Sequence, residues 1–444
     1  MRIAKLKPVR FLDKAISVKL RSGLLLLGFL GGVAGALAQG VLTPPSEIYE
    51  RPASSFSFNT NLTGGIPPLA GSIPQTQGPF QLGPVDFHPH LLYRFIYGDG
   101  IPAGPTNHLK TAIQEVSPGL LLDIGDHWSL NYTPTIRLYS NNHLPDGTDE
   151  LVELLGQTSY NDWGFHLSQT YSSSSTPLLE TEALTKQENY MTMFQVGRQL
   201  NSQLSAQLGL NQSIRSSSID TISQDIHEWS ASPALNYQFW SRFGVGLTGA
   251  LGYDEVSPGA SMKFEQAQGT MNWLVGEKLT MTAGAGVEIR QLMGSELVNP
   301  IYSGTITYRP WEQTAASLTA SRTVMPSFFQ NEVLVDTTVS ATFQQRFLEH
   351  FNFELSGSYS TMPFVGFARV DEFTNSHQAG TSESTATVQE NRKDNSRSVR
   401  VSLGSEFRQR GAISIFYSYS DTTSGLSAFA LSSTQFGIEI GWRY

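Results

Sequence analysis

Charged side chains recur in this chain one position away from apolar ones. Glu288 and Arg290, for example, alternate with Val287 and Ile289. On a β-strand such alternation places the charged set on one face of a sheet and the apolar set on the other. Because buried unpaired charge is costly, a charged face predicts contact with water, ions and polar solutes. The candidates are Arg94, Arg137, Glu153, Glu288, Arg290, Arg346, Arg400, Glu406, Arg408 and Glu439, with Glu115, Glu228, Asp336 and Glu354 on the same face.

Residue spacings that indicate catalysis or metal binding are absent from the sequence. His88 and His90 flank Pro89 on one face of a predicted strand, but no third ligand or nucleophile accompanies them. The chain contains no phosphate-binding loop, nucleophile elbow or HExxH motif. It also has no cysteine, which excludes disulfides and thiolate metal sites. We therefore expect neither an enzyme nor a bound cofactor.

Eight very short polar turns separate the segments that carry the charged face. Successive turns are about 34 to 40 residues apart, apart from a last interval of about 60, and each interval has room for two strands and one longer loop. This rhythm predicts an all-β, up-and-down, antiparallel transmembrane β-barrel of about 18 strands, with 16 as the alternative. The turns centre near Asp126, Asp162, Ser202, Ser241, Glu277, Glu312, Glu349 and Gln409.

The strand candidates alternate in the way that a barrel wall requires. Leu247 belongs to an apolar face that would meet lipid, whereas Thr248 belongs to the opposite, polar face. Residues 262–274 alternate poorly, so a bulge is expected there. The predicted spans are 85–97, 111–124, 128–140, 150–160, 164–174, 189–200, 204–214, 227–239, 243–256, 262–274, 279–291, 297–308, 315–325, 334–347, 351–359, 397–408, 411–421 and 433–443.

The N-terminus predicts export. Residues 1–38 combine a basic start, an apolar run over 23–34 and the small-residue pattern Ala36-Leu37-Ala38, which together indicate a cleaved signal peptide. This segment holds seven Lys/Arg and one Asp, so its removal changes the net charge from −9 to −15, and so acidic a product is not expected to bind nucleic acid. Residues 39–84 are rich in proline and predict an irregular N-terminal arm, and residues 85–444 form the predicted barrel.

Tryptophan placement and an even strand count predict the orientation of the chain. Trp128, Trp163, Trp240, Trp273 and Trp311 flank short turns, as an aromatic girdle at one membrane interface would. Strand one leads into a long loop and strand eighteen follows one, which places both termini on the short-turn side. In a bacterial barrel that side is the periplasm.

The C-terminal residues resemble the terminal β-signal of outer-membrane barrels. Phe436, Ile438, Ile440 and Trp442 alternate with polar or small residues, and the chain ends on Tyr444. The resemblance implies insertion into the outer membrane of a Gram-negative-type bacterium by the barrel-assembly machinery.

A barrel of 18 strands is wide enough to hold an aqueous lumen. The charged inner face then predicts a porin-like channel for passive diffusion of small hydrophilic solutes. Two alternatives stay open: an exopolysaccharide-export barrel that works with partners, and a plugged structural or adhesive barrel that does not conduct. Two loops are candidates for narrowing the lumen, either by folding inward or as surface lids. They are 171–189, which carries Glu180 and Glu182, and the polar stretch 366–396.

Three further segments carry a resemblance to a family. Residues 80–90 (FQLGPVDFHPH), 117–123 (SPGLLLD) and Tyr132 with Arg137-Leu138-Tyr139 resemble the β-barrel porin 2 type of outer-membrane proteins. The likeness extends over most of the mature chain at the level of pattern and transfers no functional residue. It implies an outer-membrane barrel, in some members one that accompanies exopolysaccharide export.

Overall fold

The computed structural model describes residues 80–104, 107–177, 184–217, 225–257, 259–292, 294–328, 331–348, 350–370, 385–407, 410–425 and 430–443. Regular structure in these ranges is β throughout. No helix in the described ranges is both long enough and apolar enough to cross a membrane. The predicted signal peptide and nearly all of the N-terminal arm lie outside the described residues, so the predicted domain division stays a prediction.

The strands follow one another along the chain. They are β1 Phe80–Leu82, β2 Val85–Gly104, β3 Asn107–Ile124, β4 Trp128–Tyr139, β5 Gly147–Tyr160, β6 Trp163–Pro177, β7 Leu184–Gln199, β8 Leu204–Ser217, β9 Asp225–Trp240, β10 Phe243–Ser257, β11 Met262–Leu274, β12 Leu279–Leu292, β13 Ser295–Trp311, β14 Thr314–Pro326, β15 Glu332–Phe347, β16 Phe351–Val370, β17 Thr385–Phe407, β18 Gly411–Ser424 and β19 Leu431–Arg443.

Each strand from β2 onward pairs antiparallel with its neighbour in sequence, and the last strand closes on the first. β19 pairs with β2 from Thr434↔Asp99 to Arg443↔His90, so the eighteen strands β2 to β19 form a closed wall. The three-residue β1 adds only to the start of β2. The predicted 18-stranded up-and-down barrel is confirmed, and the 16-strand alternative is wrong. Closure satisfies every strand edge, which is the condition for crossing a bilayer with strands.

Alternation divides the side chains between the two faces of the wall. Leu247 and Leu251 on β10 are 62% and 60% exposed on the outer face, whereas Thr248 between them faces inward and is half-buried. Aromatic rings gather on the outer face at the short turns. Trp240 stacks on Phe243 across the β9–β10 turn at 5.0 Å between centroids. A continuous apolar band bounded by aromatic rings is the surface that a β-barrel presents to lipid.

Two predictions about individual strands are wrong. The expected bulge in 262–274 is absent, because β11 pairs in continuous register with both β10 and β12. The expected 366–396 loop is also much shorter, since β16 extends to Val370 and β17 begins at Thr385; only 371–384 lie outside the described residues. The β17 extension is polar, and the β16 extension is apolar on both faces from Met362 to Val365, so neither shows the alternation that marks lipid-facing strand.

The β3–β4 and β5–β6 turns contain residues that tolerate left-handed backbone. Asn161 links β5 to β6 with φ 52°, and Gly125 links β3 to β4 with φ 56°. Glycine and asparagine adopt this conformation at the lowest cost. The β15–β16 turn is different, because Leu348 adopts φ 49° there, a conformation that is uncommon for leucine.

Candidate functional site: the barrel lumen

The inner face differs between its two ends. Close to the short turns, inner residues such as Ser340 and Thr342 on β15 are half-buried, so they border open space. Further along the same strand, toward the long loops, inner residues Leu334 and Asp336 are 2% and 4% exposed. We name these regions the turn-side half and the loop-side half of the lumen. On β15 the turn-side half is open and the loop-side half is packed; on other strands some inner residues beside the short turns, such as Ser129 and Gln238, are buried.

An ionic network covers the inner wall where the barrel closes. Arg94 on β2 contacts Glu115 on β3 at 2.8 Å and Glu439 on β19 at 3.0 Å. Arg137 on β4 contacts the same Glu115 at 2.7 Å and Asp149 on β5 at 2.7 Å. These residues and Arg400 form the closure network. Its three arginines and three carboxylates balance in charge.

Arg400 joins the closure network from β17. It contacts Glu439 at 3.4 Å and lies over the Phe416 ring at 3.9 Å from the centroid. Phe416 in turn lies across Gly437, where a Cβ atom would stand 2.4 Å from the ring. The glycine is therefore needed for the ring to lie flat against the wall and receive the guanidinium.

A second ionic cluster lies in the loop-side half. Arg290 on β12 pairs with Asp254 on β10 and contacts Glu288 at 2.9 Å. Gln266 on β11 donates a hydrogen bond to Glu288 at 2.5 Å. Arg290 also lies over the Phe264 ring at 4.8 Å. All three charged side chains are buried, so they bind one another and not a solute.

The same arginine-on-phenylalanine arrangement occurs four times in the described lumen. Besides the pairs already given, Arg392 lies over Phe364 at 4.4 Å and Arg215 over Phe328 at 5.6 Å. Such inner phenylalanines are hard to recognise in the sequence, because an isolated phenylalanine in a strand normally indicates the lipid face.

A hairpin tip folds into the lumen. Pairing of β14 with β13 ends at Arg322↔Tyr302, although β14 continues to Pro326 and β13 begins at Ser295. Beyond that point Arg290 of β12 donates a hydrogen bond to the Val324 carbonyl oxygen at 3.3 Å. Arg215 of β8 donates one to the Pro326 carbonyl oxygen at 3.3 Å. We call residues 323–328 and 331–335 the inward hairpin.

Apolar packing holds the inward hairpin against the wall. Its valines and Phe328 contact inner-face residues of β9 to β13, and every member of the cluster is buried. Two other pairs of non-neighbouring strands, β2 with β7 and β13 with β17, also approach each other, so further strands bend inward. The cluster consists of Ile226, Val256, Met262, Leu292, Ile301, Val324, Phe328, Val333 and Val335.

Neither loop considered from the sequence supplies this element. The 171–189 candidate is mostly strand, with β6 reaching Pro177 and β7 starting at Leu184. Residues 178–183, including Glu180 and Glu182, lie outside the described residues. The run Val333-Leu334-Val335, apolar on both faces of the strand, is the signal that could have revealed the inward hairpin.

The remaining predicted lumen residues fall into three groups. Glu153 is half-buried on β5 and accepts a hydrogen bond from Asn131 Nδ2 at 3.1 Å. Arg346 and Glu406 lie 3.9 Å apart near the short turns, and both are exposed. Arg408 lies outside the described residues.

Of the two inner-face histidines, His88 lies beside one carboxylate and His90 lies beside a threonine hydroxyl. His88 Nε2 lies 3.4 Å from Asp123 Oδ2, and His90 Nε2 lies 3.1 Å from Thr133 Oγ1. Within the described ranges, no group of three histidine or carboxylate side chains is placed to hold a metal ion.

The terminal strand presents its apolar set to the outside. Phe436 and Ile440 are exposed on the outer face, and Trp442 contacts Phe407 with ring centroids 6.2 Å apart. Ile438 belongs to the same face and pairs with Ile415 and Phe95. Tyr444 lies outside the described residues.

Comparison with known proteins yields structural likeness alone. No family model matches the chain, and no curated protein matches it. The outer membrane protein OpdK from Pseudomonas aeruginosa is similar over 81% of this chain and 99% of its own, with 12% identity and a TM-score of 0.43. OccAB4 from Acinetobacter baumannii is similar over 83% of this chain and 100% of its own, with 12% identity and a TM-score of 0.44.

A third solved structure, of Pseudomonas aeruginosa OccK2 (OpdF) in complex with glucuronate, is similar over 81% of this chain and 98% of its own. It has 10% identity and a TM-score of 0.43. At such identities and TM-scores these likenesses add nothing to what the strand pairing itself shows.

Proposed function

We propose that this chain is a porin-like channel of the outer membrane for the passive diffusion of small hydrophilic solutes. One observation carries the proposal: a closed wall of eighteen strands is apolar outside, and half-buried small polar residues such as Ser340 and Thr342 line part of its turn-side half inside. Barrels of 16 to 18 strands are wide enough to leave an aqueous channel. A dry or fully packed interior would leave these hydroxyl and amide groups without water or partners.

The inward hairpin determines how large a solute could pass. It occupies part of the loop-side half, which restricts the path to the space between the hairpin and the opposite wall. Half-buried polar inner residues on β5 to β8, among them Glu153, Thr170, Ser172 and Ser213, border the part of the wall that the apolar cluster does not cover. Small polar solutes fit such a path better than polymers.

The orientation and assembly of the barrel follow from its ends. Both termini would lie in the periplasm, on the side of the short turns, and the long-loop side would face outward. The apolar outer face of β19 supports recognition of the last strand by the barrel-assembly machinery. Lipid is then the principal partner of the outer face, and neither an enzymatic role nor a nucleic-acid partner is proposed.

The experiment is planar-bilayer conductance of the refolded mature protein. Stepwise conductance is expected, smaller than that of an unobstructed barrel because the inward hairpin narrows the path. Folded protein, shown by heat-modifiable gel mobility, that inserts without conductance would overturn the channel proposal.

A plugged barrel is the second candidate, because buried apolar packing is a specific feature of the loop-side half. Inserted barrels without conductance would support it. For the exopolysaccharide-export alternative, the described residues offer no accessible aromatic platform in the turn-side half on which a sugar chain could stack.

A further inference from the structure

We propose that the lumen prefers cationic and neutral polar solutes over anions, and that Glu153 and Glu354 set this preference. The inference rests on the proposed channel function and names the charge class of its solutes. It arises from the distribution of paired and unpaired charge on the inner face.

Most arginines of the described inner face are already paired with carboxylates, so they attract an anion only weakly. Arg94, Arg137 and Arg400 are balanced within the closure network by Glu115, Asp149 and Glu439. Arg290 and Arg392 are buried and have their own carboxylates, and Arg346 lies beside Glu406. The contacts are Arg290 with Asp254 and Glu288, Arg392 with Asp394 at 2.5 Å and Arg346 with Glu406 at 3.9 Å.

Arg215 has no carboxylate within 4 Å among the described residues, but it is not free. Its guanidinium binds the Pro326 carbonyl oxygen and the Phe328 ring. It also belongs to the region of Asp254, Glu288 and Glu228, whose carboxylates outnumber Arg215 and Arg290. The loop-side half therefore has no excess of positive charge in its described part.

Several inner carboxylates have no ion pair within 4 Å among the described residues, and two of them, Glu153 and Glu354, accept hydrogen bonds from neutral amides. Glu153 accepts its hydrogen bond from the Asn131 amide, and Glu354 accepts one from Gln344 Nε2 at 3.2 Å. Within the described residues neither forms an ion pair within 4 Å. Both are half-buried, so they border the open lumen. A channel whose accessible fixed charges are carboxylates concentrates cations and repels anions.

The test is the reversal potential of the protein in a planar bilayer under a KCl gradient. We expect a potential that indicates a higher permeability for K⁺ than for Cl⁻. Glu153→Gln and Glu354→Gln should each lower the permeability ratio, and the double variant should lower it by at least about twofold. Glu265→Gln is the matched control, because Glu265 is exposed on the outer face of β11 and should not change the ratio.

The possible results separate the two proposals. A folded, inserted protein without conductance overturns the proposed channel function, and the charge inference, which rests on that function, then falls with it. Conductance with a preference for Cl⁻, or a K⁺ preference that survives in the double variant, overturns the charge inference alone. Should the Gln variants fail to fold, the unmodified protein decides the sign, and Glu354→Asp, which keeps the charge, should keep the ratio.

Discussion

Arg215 on β8 and Pro326 on β14 are joined by a hydrogen bond of 3.3 Å from the guanidinium to the backbone carbonyl oxygen. The two strands are six positions apart in the barrel wall. Neighbouring strands are about 4.8 Å apart, so roughly 29 Å of wall separates them. An arginine cannot reach across that distance, and the contact exists because the inward hairpin separates from β13 and bends into the lumen while staying paired with β16. Arg215 therefore binds the hairpin from β8, beyond the inner-face residues of β9 to β13 that form the apolar cluster.

Replacement of Arg215 by alanine should loosen the inward hairpin. The variant loses one charge-assisted hydrogen bond and one cation–π contact, about 1–3 kcal/mol in total. The apolar cluster remains, so folding should be preserved. Single-channel recordings should show larger or more frequent openings than those of the unmodified protein.

The control for that prediction is Arg397→Ala. Arg397 pairs with Asp421 at 3.0 Å, but its side chain is 65% exposed on the outer face. Exposed pairs of this kind contribute little. Unchanged openings in Arg215→Ala, measured beside this control, would show that the hairpin does not limit conduction.

The inside–outside assignment predicts opposite effects for two adjacent substitutions on β10. Leu247→Arg places a charge on the exposed apolar face, at a cost of roughly 2–4 kcal/mol near the bilayer midplane. Thr248→Arg places the same charge on the inner face, where the half-buried Thr248 side chain borders the lumen and water can hydrate the charge. Heat-modifiable gel mobility should show less folded barrel for Leu247→Arg only. Equal tolerance of both variants would mean that the faces are assigned wrongly.

The Phe416 ring should not tolerate a side chain at Gly437. A Cβ atom there would lie 2.4 Å from the ring and 2.7 Å from the Phe95 carbonyl oxygen, so Gly437→Ala should lower the yield of refolded barrel. At Gly269 the nearest atom to an added Cβ is 4.0 Å away, which makes Gly269→Ala the control. Refolding yields that are equal for the two variants would contradict the packing described here.

Most of the barrel strands could be predicted from the sequence, but most of the contacts inside the lumen could not. β10 and β12 follow from clear alternation around short turns, because lipid and water impose a period of two on wall strands. The inward hairpin breaks this rule: Val333 and Val335 occupy outer-face positions, yet they pack against the inner wall. Charge pairing was equally hidden, since residues such as Arg94 and Glu439 meet only through the closure of the first strand on the last.

The terminal strand should decide assembly but not export. The double substitution Trp442→Ser and Tyr444→Ser leaves the predicted signal peptide untouched, so the protein should still cross the inner membrane. It should nevertheless yield less protease-resistant, heat-modifiable barrel in outer-membrane fractions, because β19 must be recognised and must pair with β2. Normal levels of folded barrel would contradict the β-signal.

Ser433 on β19 donates a hydrogen bond to the Asp99 carbonyl oxygen on β2, a residue 334 positions earlier in the chain. β2 therefore cannot complete its pairing until nearly the whole chain is available to fold. Contacts between such distant segments form slowly, and an unpaired strand edge invites aggregation in the meantime. The edges of the two end strands therefore stay unpaired until the final strand is available, and closure of the wall is a late step of folding.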